Sequence, residues 1–225
     1  MEQNTIRPQT LSEFIGQETI KKILLLYLEY AKTKNAPMPH ILLCGSSGLG
    51  KVTLAGIIAN EMGVDFRMTS GCAIKNQEDL TMLLADLHEG DILFIDDIHC
   101  ISEQIENFLC TAHLPKCTLI GEMINAEQLS APLKDLFKIT LQLAPYTSEE
   151  LAEIIARSAK ILKIEIEPDA VTKLAAYSKG TPRIANRLLK RTRDFTCTMD
   201  SGVITLNIVE NMLVKMKTEE QKKGR

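Results

Sequence analysis

The sequence lacks the features that mark secreted, membrane-spanning and strongly basic proteins. Its first ten residues, MEQNTIRPQT, contain no apolar segment of the kind found in a signal peptide, and no apolar run is long enough to cross a bilayer. The formal net charge is −3, which argues against a surface that binds nucleic acid without selectivity. We therefore expect a cytoplasmic protein without a membrane partner, and direct DNA binding is not favoured.

Spacings typical of metal sites are also missing. The six cysteines include no C-x-x-C pair, and the four histidines have no metal-ligand spacing, so we expect free thiols rather than disulfides or a zinc site. No internal repeat or low-complexity segment is present. With 225 residues, 45% of them hydrophobic and 24% charged, the chain has the composition of a globular protein with one domain or two small ones.

Short apolar runs alternate with helix-like periodicity through the first two thirds of the chain. The runs predict buried strands, and the amphipathic stretches between them predict helices. The predicted strands are residues 40–45, 65–70, 91–96, 117–123 and 139–144. Strands that alternate with helices indicate an α/β fold with a mostly parallel sheet covered on both faces.

The pattern becomes entirely helical near Pro145. A T-x-x-E capping box at Thr147 and Glu150 opens a helix, and three further amphipathic segments follow it. We therefore divide the chain into a large α/β domain at 1–145, a small helical domain at 146–218 and a polar tail at 219–225.

The stretch GSSGLGK at residues 45–51 has the pattern of a phosphate-binding loop. Gly45, Gly48 and Gly50 permit a tight turn whose backbone N–H groups point at phosphate oxygens. Lys51 would reach the β- and γ-phosphates. The loop follows a predicted strand and opens a predicted helix, whose N-terminus adds a favourable field for anions. We therefore predict ATP or ADP as the ligand.

The next residue departs from the pattern of such a loop. A Ser or Thr hydroxyl normally binds Mg²⁺ at the position that Val52 occupies here. Thr53 is adjacent, but one step along a helix rotates a side chain by about 100°. We therefore expect nucleotide binding with a weakened Mg²⁺ site.

A second motif, DILFIDDIH, ends an apolar strand with two carboxylates. Asp96 would position the Mg²⁺ water shell and is the predicted metal residue, whereas Asp97 would orient or deprotonate the attacking water. Two acids at the end of a strand are as often merely exposed to solvent as they are functional. The phosphate loop earlier in the chain favours the functional interpretation. Asp97 is one methylene shorter than the Glu usually found there, which limits its reach.

Seven segments, in chain order, resemble the RuvB family of bacterial AAA+ motors, which drive Holliday-junction branch migration in DNA recombination and repair. They are RPQTLSEFIGQ, HILLCGSSGLGKVTLAGIIANEMG, DILFIDDIH, TLIG, LSAPLKDLF, YTSEELAEIIARSAKIL and GTPRIANRLLKRTRDF. The resemblance implies an AAA+ P-loop NTPase domain with a parallel sheet, a small C-terminal helical lid, and nucleotide between them. It also implies that Arg7, Tyr146 and Arg183 contact the nucleotide, with Arg183 as the sensor arginine of the lid.

The sensor strand departs from the family pattern. The family ends this strand with a G-A-T-T-R-type run, where the present chain has GEMIN. Met123 and Ile124 therefore replace the threonines, and Asn125 is a candidate substitute if the strand end is shifted.

The trans-acting arginine of the family is also missing. It lies in an L-R-D-R-F-type segment that reads LKDLF here, with Lys134 and Leu136, and no arginine occurs between Arg67 and Arg157. Lysine lacks the planar fork of arginine. The resemblance therefore implies weak or absent ATPase activity.

Two larger parts of the family pattern are missing as well. RuvB proteins carry a long β-hairpin that grips RuvA where only HLPK joins helix to strand here, and they continue past the lid into a winged-helix domain that contacts DNA. From the resemblance we expect no coupling to RuvA and no autonomous branch migration.

Three functions are consistent with these observations. The first is a RuvB-like AAA+ ATP-binding protein with impaired catalysis. The second is a non-enzymatic nucleotide-binding regulator or subunit that docks on another AAA+ protein. The third is a nucleotide-loaded subunit of a clamp-loader-like or initiator-like assembly. We expect an oligomer or an association with another AAA+ subunit. The basic helix that contains Arg187, Lys190, Arg191 and Arg193 is expected to present a solvated face.

Overall fold

The computed structural model describes residues 6–112, 114–197 and 202–223. His113, in the short HLPK connection, lies outside the described residues. The chain divides into two compact units. One unit is Pro8–Ala144, and the other runs from Pro145 onward and includes Ile6 and Arg7.

The Pro8–Ala144 unit has the predicted α/β architecture. Its strands are β1 (Ile41–Cys44), β2 (Phe66–Ser70), β3 (Ile92–Asp96), β4 (Thr118–Met123) and β5 (Ile139–Gln142). Its helices are α1 (Glu18–Lys34), α2 (Lys51–Met62), α3 (Gln77–Ala85), α4 (Glu103–Thr111) and α5 (Ala131–Leu136). Each strand lies inside a run that the sequence predicts. The central strands β1, β3 and β4 are buried almost throughout, as a continuous apolar run implies.

The sheet has the strand order β2-β3-β4-β1-β5, and all neighbouring strands are parallel. Cys44 of β1 pairs with Met123 of β4, and Ile95 of β3 pairs with Gly121 of β4. Strand β4 therefore separates the loop after β1 from the carboxylates at the end of β3. The carboxyl end of β4 lies between those two motifs.

Local signals explain most helix boundaries in this unit. An Asn76–Asp79 capping box starts α3, and the Ser102 side chain accepts a hydrogen bond at the start of α4. Helix α5 is too short to show periodicity, so the sequence does not predict it, although Ser130 caps it and a proline lies in its first turn.

The second unit is mainly helical. Its elements are α6 (Ser148–Ile161), β6 (Glu165–Ile166), α7 (Pro168–Tyr177), α8 (Pro182–Cys197), β7 (Val203–Ile204) and α9 (Leu206–Lys223). The predicted capping box is present, since the Thr147 N–H donates to Glu150 Oε2 at 2.8 Å and the Glu150 N–H donates to Thr147 Oγ1 at 3.2 Å.

Two features of this unit differ from the prediction. Strands β6 and β7 form a parallel pair, which two-residue strands are too short to reveal in sequence. Helix α9 continues to Lys223, so helical structure extends into residues 219–225, which the polar composition had suggested as a tail. Among the described residues, no helix is both long and apolar enough to cross a membrane.

Candidate functional site

The phosphate loop joins the buried strand β1 to α2, and its backbone requires glycine. Gly45, Gly48 and Gly50 have φ angles of +136°, +89° and +104°, a region that other residues rarely adopt. At Gly45 the space is closed as well, because a Cβ atom there would lie 2.9 Å from the carbonyl oxygen of Leu143. The loop conformation is therefore specified by the sequence.

The N-terminus of α2 has the properties of an anion-binding site. Gly50 is its N-cap, this fully described segment contains no side-chain cap for the helix, and the first turn holds no acidic residue. The first N–H groups of a helix lack intrahelical partners, and they lie at the positive end of the helix dipole. The loop and helix together fit a phosphate group.

Lys51 is buried, and its ammonium group is engaged inside the protein. Nζ donates to the carbonyl oxygens of Gly45 and Ser46, the latter at 2.9 Å, and it lies 2.6 Å from Oε1 of Glu122. The Lys51 and Glu122 side chains are 4% and 9% exposed. An ammonium has three hydrogens, and these contacts account for all of them.

Glu122 is a site residue that the sequence reasoning missed. It lies in β4, and its Oε2 accepts a hydrogen bond from the backbone N–H of Asp97 at 3.2 Å. Its carboxyl group is also hydrogen-bonded to that of Asp96. A carboxylate inside an apolar strand needs polar partners, so the single acid in the run CTLIGEM is the signal that could have revealed it.

The pKa values of the Asp96 and Glu122 carboxyl groups are shifted in opposite directions. Burial, the hydrogen bond with Glu122 and the negative charges of Glu122 and Asp97 raise the pKa of Asp96 to about 6. Burial alone would raise the pKa of Glu122, but hydrogen bonds with Lys51 and Asp96 outweigh it and lower that pKa. The contact with Lys51 therefore favours the charged form of the Glu122 carboxyl group.

Asp97 is exposed and has a left-handed backbone, with φ 49° and ψ 52°. Its backbone is held in place, because its carbonyl oxygen accepts the N–H of Cys100 at 2.9 Å and a Cβ atom on Gly71 would lie only 2.5 Å from that oxygen. A residue other than glycine held in this region carries strain, a feature that clusters at functional sites. The water-orienting role of Asp97 stays a prediction.

The oxygen ligands that Mg²⁺ prefers are present, but the loop hydroxyl is not. Asp96 and Asp97 offer carboxylate oxygens at the carboxyl end of β3, which is the ligand type that Mg²⁺ prefers. Val52 and Thr53 are both half-buried in the first turn of α2, and Val52 has only methyl groups. The structure thus brings Lys51 together with Glu122 and Asp96, whereas a role for Thr53 stays a prediction.

The sensor strand contributes apolar packing where the family pattern has a polar residue. Met123 is fully buried in the hydrophobic core. Asn125, the candidate substitute, caps the short turn Ala126–Gln128, because its Oδ1 accepts the N–H of Glu127 at 3.0 Å. The polar group nearest to Lys51 in this strand is therefore Glu122.

The LKDLF segment, all but the last residue of which lies in α5, offers no guanidinium. Lys134 is exposed, with Nζ 3.4 Å from the carbonyl oxygen of Glu127. Leu136 is half-buried and packs against the hydrophobic core.

Three predicted nucleotide contacts belong to the second unit. Tyr146 is buried, and its N–H donates to the carbonyl oxygen of Gly180 at 3.0 Å. Arg183 is exposed in the first turn of α8, and Arg7 is exposed in the N-terminal segment. Their contact with nucleotide stays a prediction, because the phosphate loop belongs to the other unit.

Comparisons with known proteins all point to one family. The family described as the Holliday junction DNA helicase RuvB P-loop domain matches residues 6–113, and the RuvB AAA lid domain matches residues 146–219. The Holliday junction branch migration complex subunit RuvB of Latilactobacillus sakei is 42% identical over 238 aligned positions, which cover 96% of this chain and 71% of that protein. Since 238 positions exceed the 225 residues of the chain, that relative contains residues absent here.

Solved structures agree with this result. The Thermotoga maritima RuvB Holliday junction branch migration motor has a TM-score of 0.90 and 42% identity, covering 93% of this chain and 72% of that one. A variant of the same Thermotoga maritima protein has a TM-score of 0.91 and 41% identity, covering 94% of this chain and 74% of that one.

Proposed function

The chain belongs to the RuvB family of AAA+ proteins, and from that premise we propose that it binds adenine nucleotide but hydrolyses ATP slowly or not at all. The proposal rests on which residues of a phosphate-binding loop this chain retains and which it has replaced. The loop keeps its three glycines and Lys51, yet it has Val52 at the position of the Mg²⁺-binding hydroxyl. The residues needed for nucleotide binding are therefore present, whereas the hydroxyl that would bind Mg²⁺ for catalysis is missing.

The residues of the site have distinct proposed roles. The N–H groups of the loop and of the start of α2 hold the phosphates, and Lys51 neutralises their charge. Asp96 would hold the water shell of Mg²⁺, and the bound ion would neutralise charge on the transferring phosphoryl group. Arg7, Tyr146 and Arg183 are assigned to the nucleotide by family resemblance, with residues 146–218 acting as the lid and 1–145 as the nucleotide-binding domain.

A second departure acts on the same reaction. In related phosphoryl-transfer enzymes, an arginine supplied in trans raises kcat by a factor of about 10³ to 10⁵. Here the matching segment has Lys134 and Leu136, and no arginine lies between Arg67 and Arg157. An assembly made of this chain alone would thus lack that group at every interface.

We expect Mg²⁺ to contribute little to ATP affinity, because Val52 leaves Asp96 as the main protein contact to its water shell. Calorimetric titration with ATP, in Mg²⁺ and in a chelator, should give similar affinities for the wild-type protein. Val52→Thr should restore a strong Mg²⁺ dependence, whereas Val52→Ala, which adds no hydroxyl, should not. A steep loss of wild-type affinity on chelation would mean that Thr53 or another group has replaced the hydroxyl.

We also propose that coupling to RuvA is lost. Helix α4 ends at Thr111 and β4 begins at Thr118, so a short connection joins the elements between which RuvB proteins carry their RuvA-binding hairpin. The purified chain, mixed with RuvA and a synthetic four-way junction, should give no branch migration. Migration above the level of RuvA alone would refute this part of the proposal.

The second candidate function is a subunit or regulator within another AAA+ assembly. It is favoured by the asymmetry of the interface residues, because the chain has no arginine to donate from α5 while its own site could receive one from a competent neighbour. In that case ATP turnover would rise when a RuvB protein that retains its arginine is added, and would stay low with this chain alone.

A further inference from the structure

The ammonium group that a phosphate-binding loop presents to its ligand is paired here with an internal carboxylate. Lys51 Nζ and Glu122 Oε1 are 2.6 Å apart, and both side chains are buried. Charge pairs interact more strongly away from water, and a charge-assisted hydrogen bond of this length is a strong one. Carboxylate and phosphate oxygens are alternative anionic acceptors for the same ammonium hydrogens.

The carboxylate is fixed in place by three separate elements. The backbone of Glu122 is held in β4 opposite Leu43 of β1. One of its carboxylate oxygens contacts Lys51 at the start of α2, and the other accepts the N–H of Asp97 after β3. A phosphate that approaches Lys51 must therefore share the ammonium with Glu122 or displace it.

The position of Glu122 in the strand is what creates this competition. Because β4 lies between β1 and β3, its end faces both the phosphate loop and Asp96. The G-A-T-T-R-type run of the family has alanine at the position that Glu122 occupies in GEMIN. An alanine side chain carries no charge, so this carboxylate distinguishes the present chain from that pattern.

We propose that Glu122 determines the ligand specificity of the site by disfavouring nucleotides with more phosphate charge, so that the site prefers a nucleoside diphosphate to a triphosphate. The proposal rests on the proposed nucleotide binding at the loop. Its physical basis is that ATP carries one more negative charge than ADP, so a fixed carboxylate beside the phosphate-binding lysine repels ATP more strongly.

The test compares ADP and ATP binding to wild-type protein and to Glu122→Gln by calorimetry. A chelator keeps Mg²⁺ from neutralising the phosphates. Wild-type protein should bind ADP more tightly than ATP. Glu122→Gln keeps the shape of the side chain but removes its charge, so affinity should rise by roughly tenfold or more for ATP, and less for ADP. The matched control is Glu127→Gln, an exposed carboxyl just after the same strand, which should change neither affinity.

The outcomes separate this inference from the proposed function. If wild-type protein binds nucleotide but Glu122→Gln gives no gain, or an equal gain for ADP and ATP, the specificity role is wrong and nucleotide binding stands. If neither folded protein binds either nucleotide, the proposed function fails and this inference fails with it. If Glu122→Gln does not fold, the affinities of the wild-type protein alone test the proposal. Tighter binding of ATP than of ADP in chelator would then overturn the specificity role of Glu122.

Discussion

Val52→Thr combined with Leu136→Arg is expected to raise ATP turnover by about 10³-fold or more at high protein concentration. The threonine hydroxyl would complete the Mg²⁺ site in the loop, and the arginine would stabilise transition-state charge in a neighbouring subunit. Because the two groups act on one transition state, the double variant should exceed the product of the single variants. Steady-state assays at saturating ATP over a range of protein concentrations would show this, since the arginine acts only between subunits.

The control for this experiment is Leu136→Lys in the same Val52→Thr background. Lysine supplies the charge without the planar fork, so its gain should be much smaller. Leu136 packs against the core, so thermal unfolding must show that both variants remain folded. If the folded double variant shows no increase in ATP turnover at any protein concentration, either the interface does not form or Asp97 and Met123 limit the reaction on their own.

Lys51→Ala is expected to abolish nucleotide binding and to lower the free energy of unfolding by about 3 kcal/mol or more. The loss of binding follows from the missing phosphate contact. The loss of stability follows because Glu122 would be left as a buried carboxylate without its cation. Calorimetry measures the first effect, and urea denaturation monitored by circular dichroism measures the second.

Two further variants isolate the cause of that destabilisation. Adding Glu122→Gln to Lys51→Ala should recover much of the stability but none of the binding, because it removes the unpaired charge without restoring the lysine. The control is Lys116→Ala, which removes an exposed lysine whose Nζ lies 2.9 Å from Oε1 of Glu89. It should change the free energy of unfolding by no more than about 1 kcal/mol. Equal destabilisation by Lys51→Ala with and without Glu122→Gln would contradict the buried ion pair.

The sheet and the phosphate loop were predictable because their signals are local. Strand β1 is four consecutive apolar residues, all buried, and the glycines at the loop turn are demanded by left-handed backbone angles. The two-residue pair β6 and β7 and the six-residue α5 were not predicted, because elements of that length carry no periodicity.

The role of Glu122 was not predicted because it depends on strand order. Its sequence neighbours are apolar, and its partners Lys51 and Asp97 come from segments far away in the chain. Only the placement of β4 between β1 and β3 brings the three together. Likewise, sequence suggested Asn125 as a polar sensor, whereas the structure shows its side chain capping the turn that follows β4.

The most direct test of impaired catalysis is steady-state ATP turnover by wild-type protein, at concentrations where nucleotide binding is established by calorimetry. The protein alone should turn over far more slowly than once per second, although it binds nucleotide. Addition of a RuvB protein that retains its trans arginine should raise the rate only if this chain functions within a mixed assembly. Turnover by the wild-type protein alone at about 1 s⁻¹ or faster, the range of ordinary enzymes, would contradict the account.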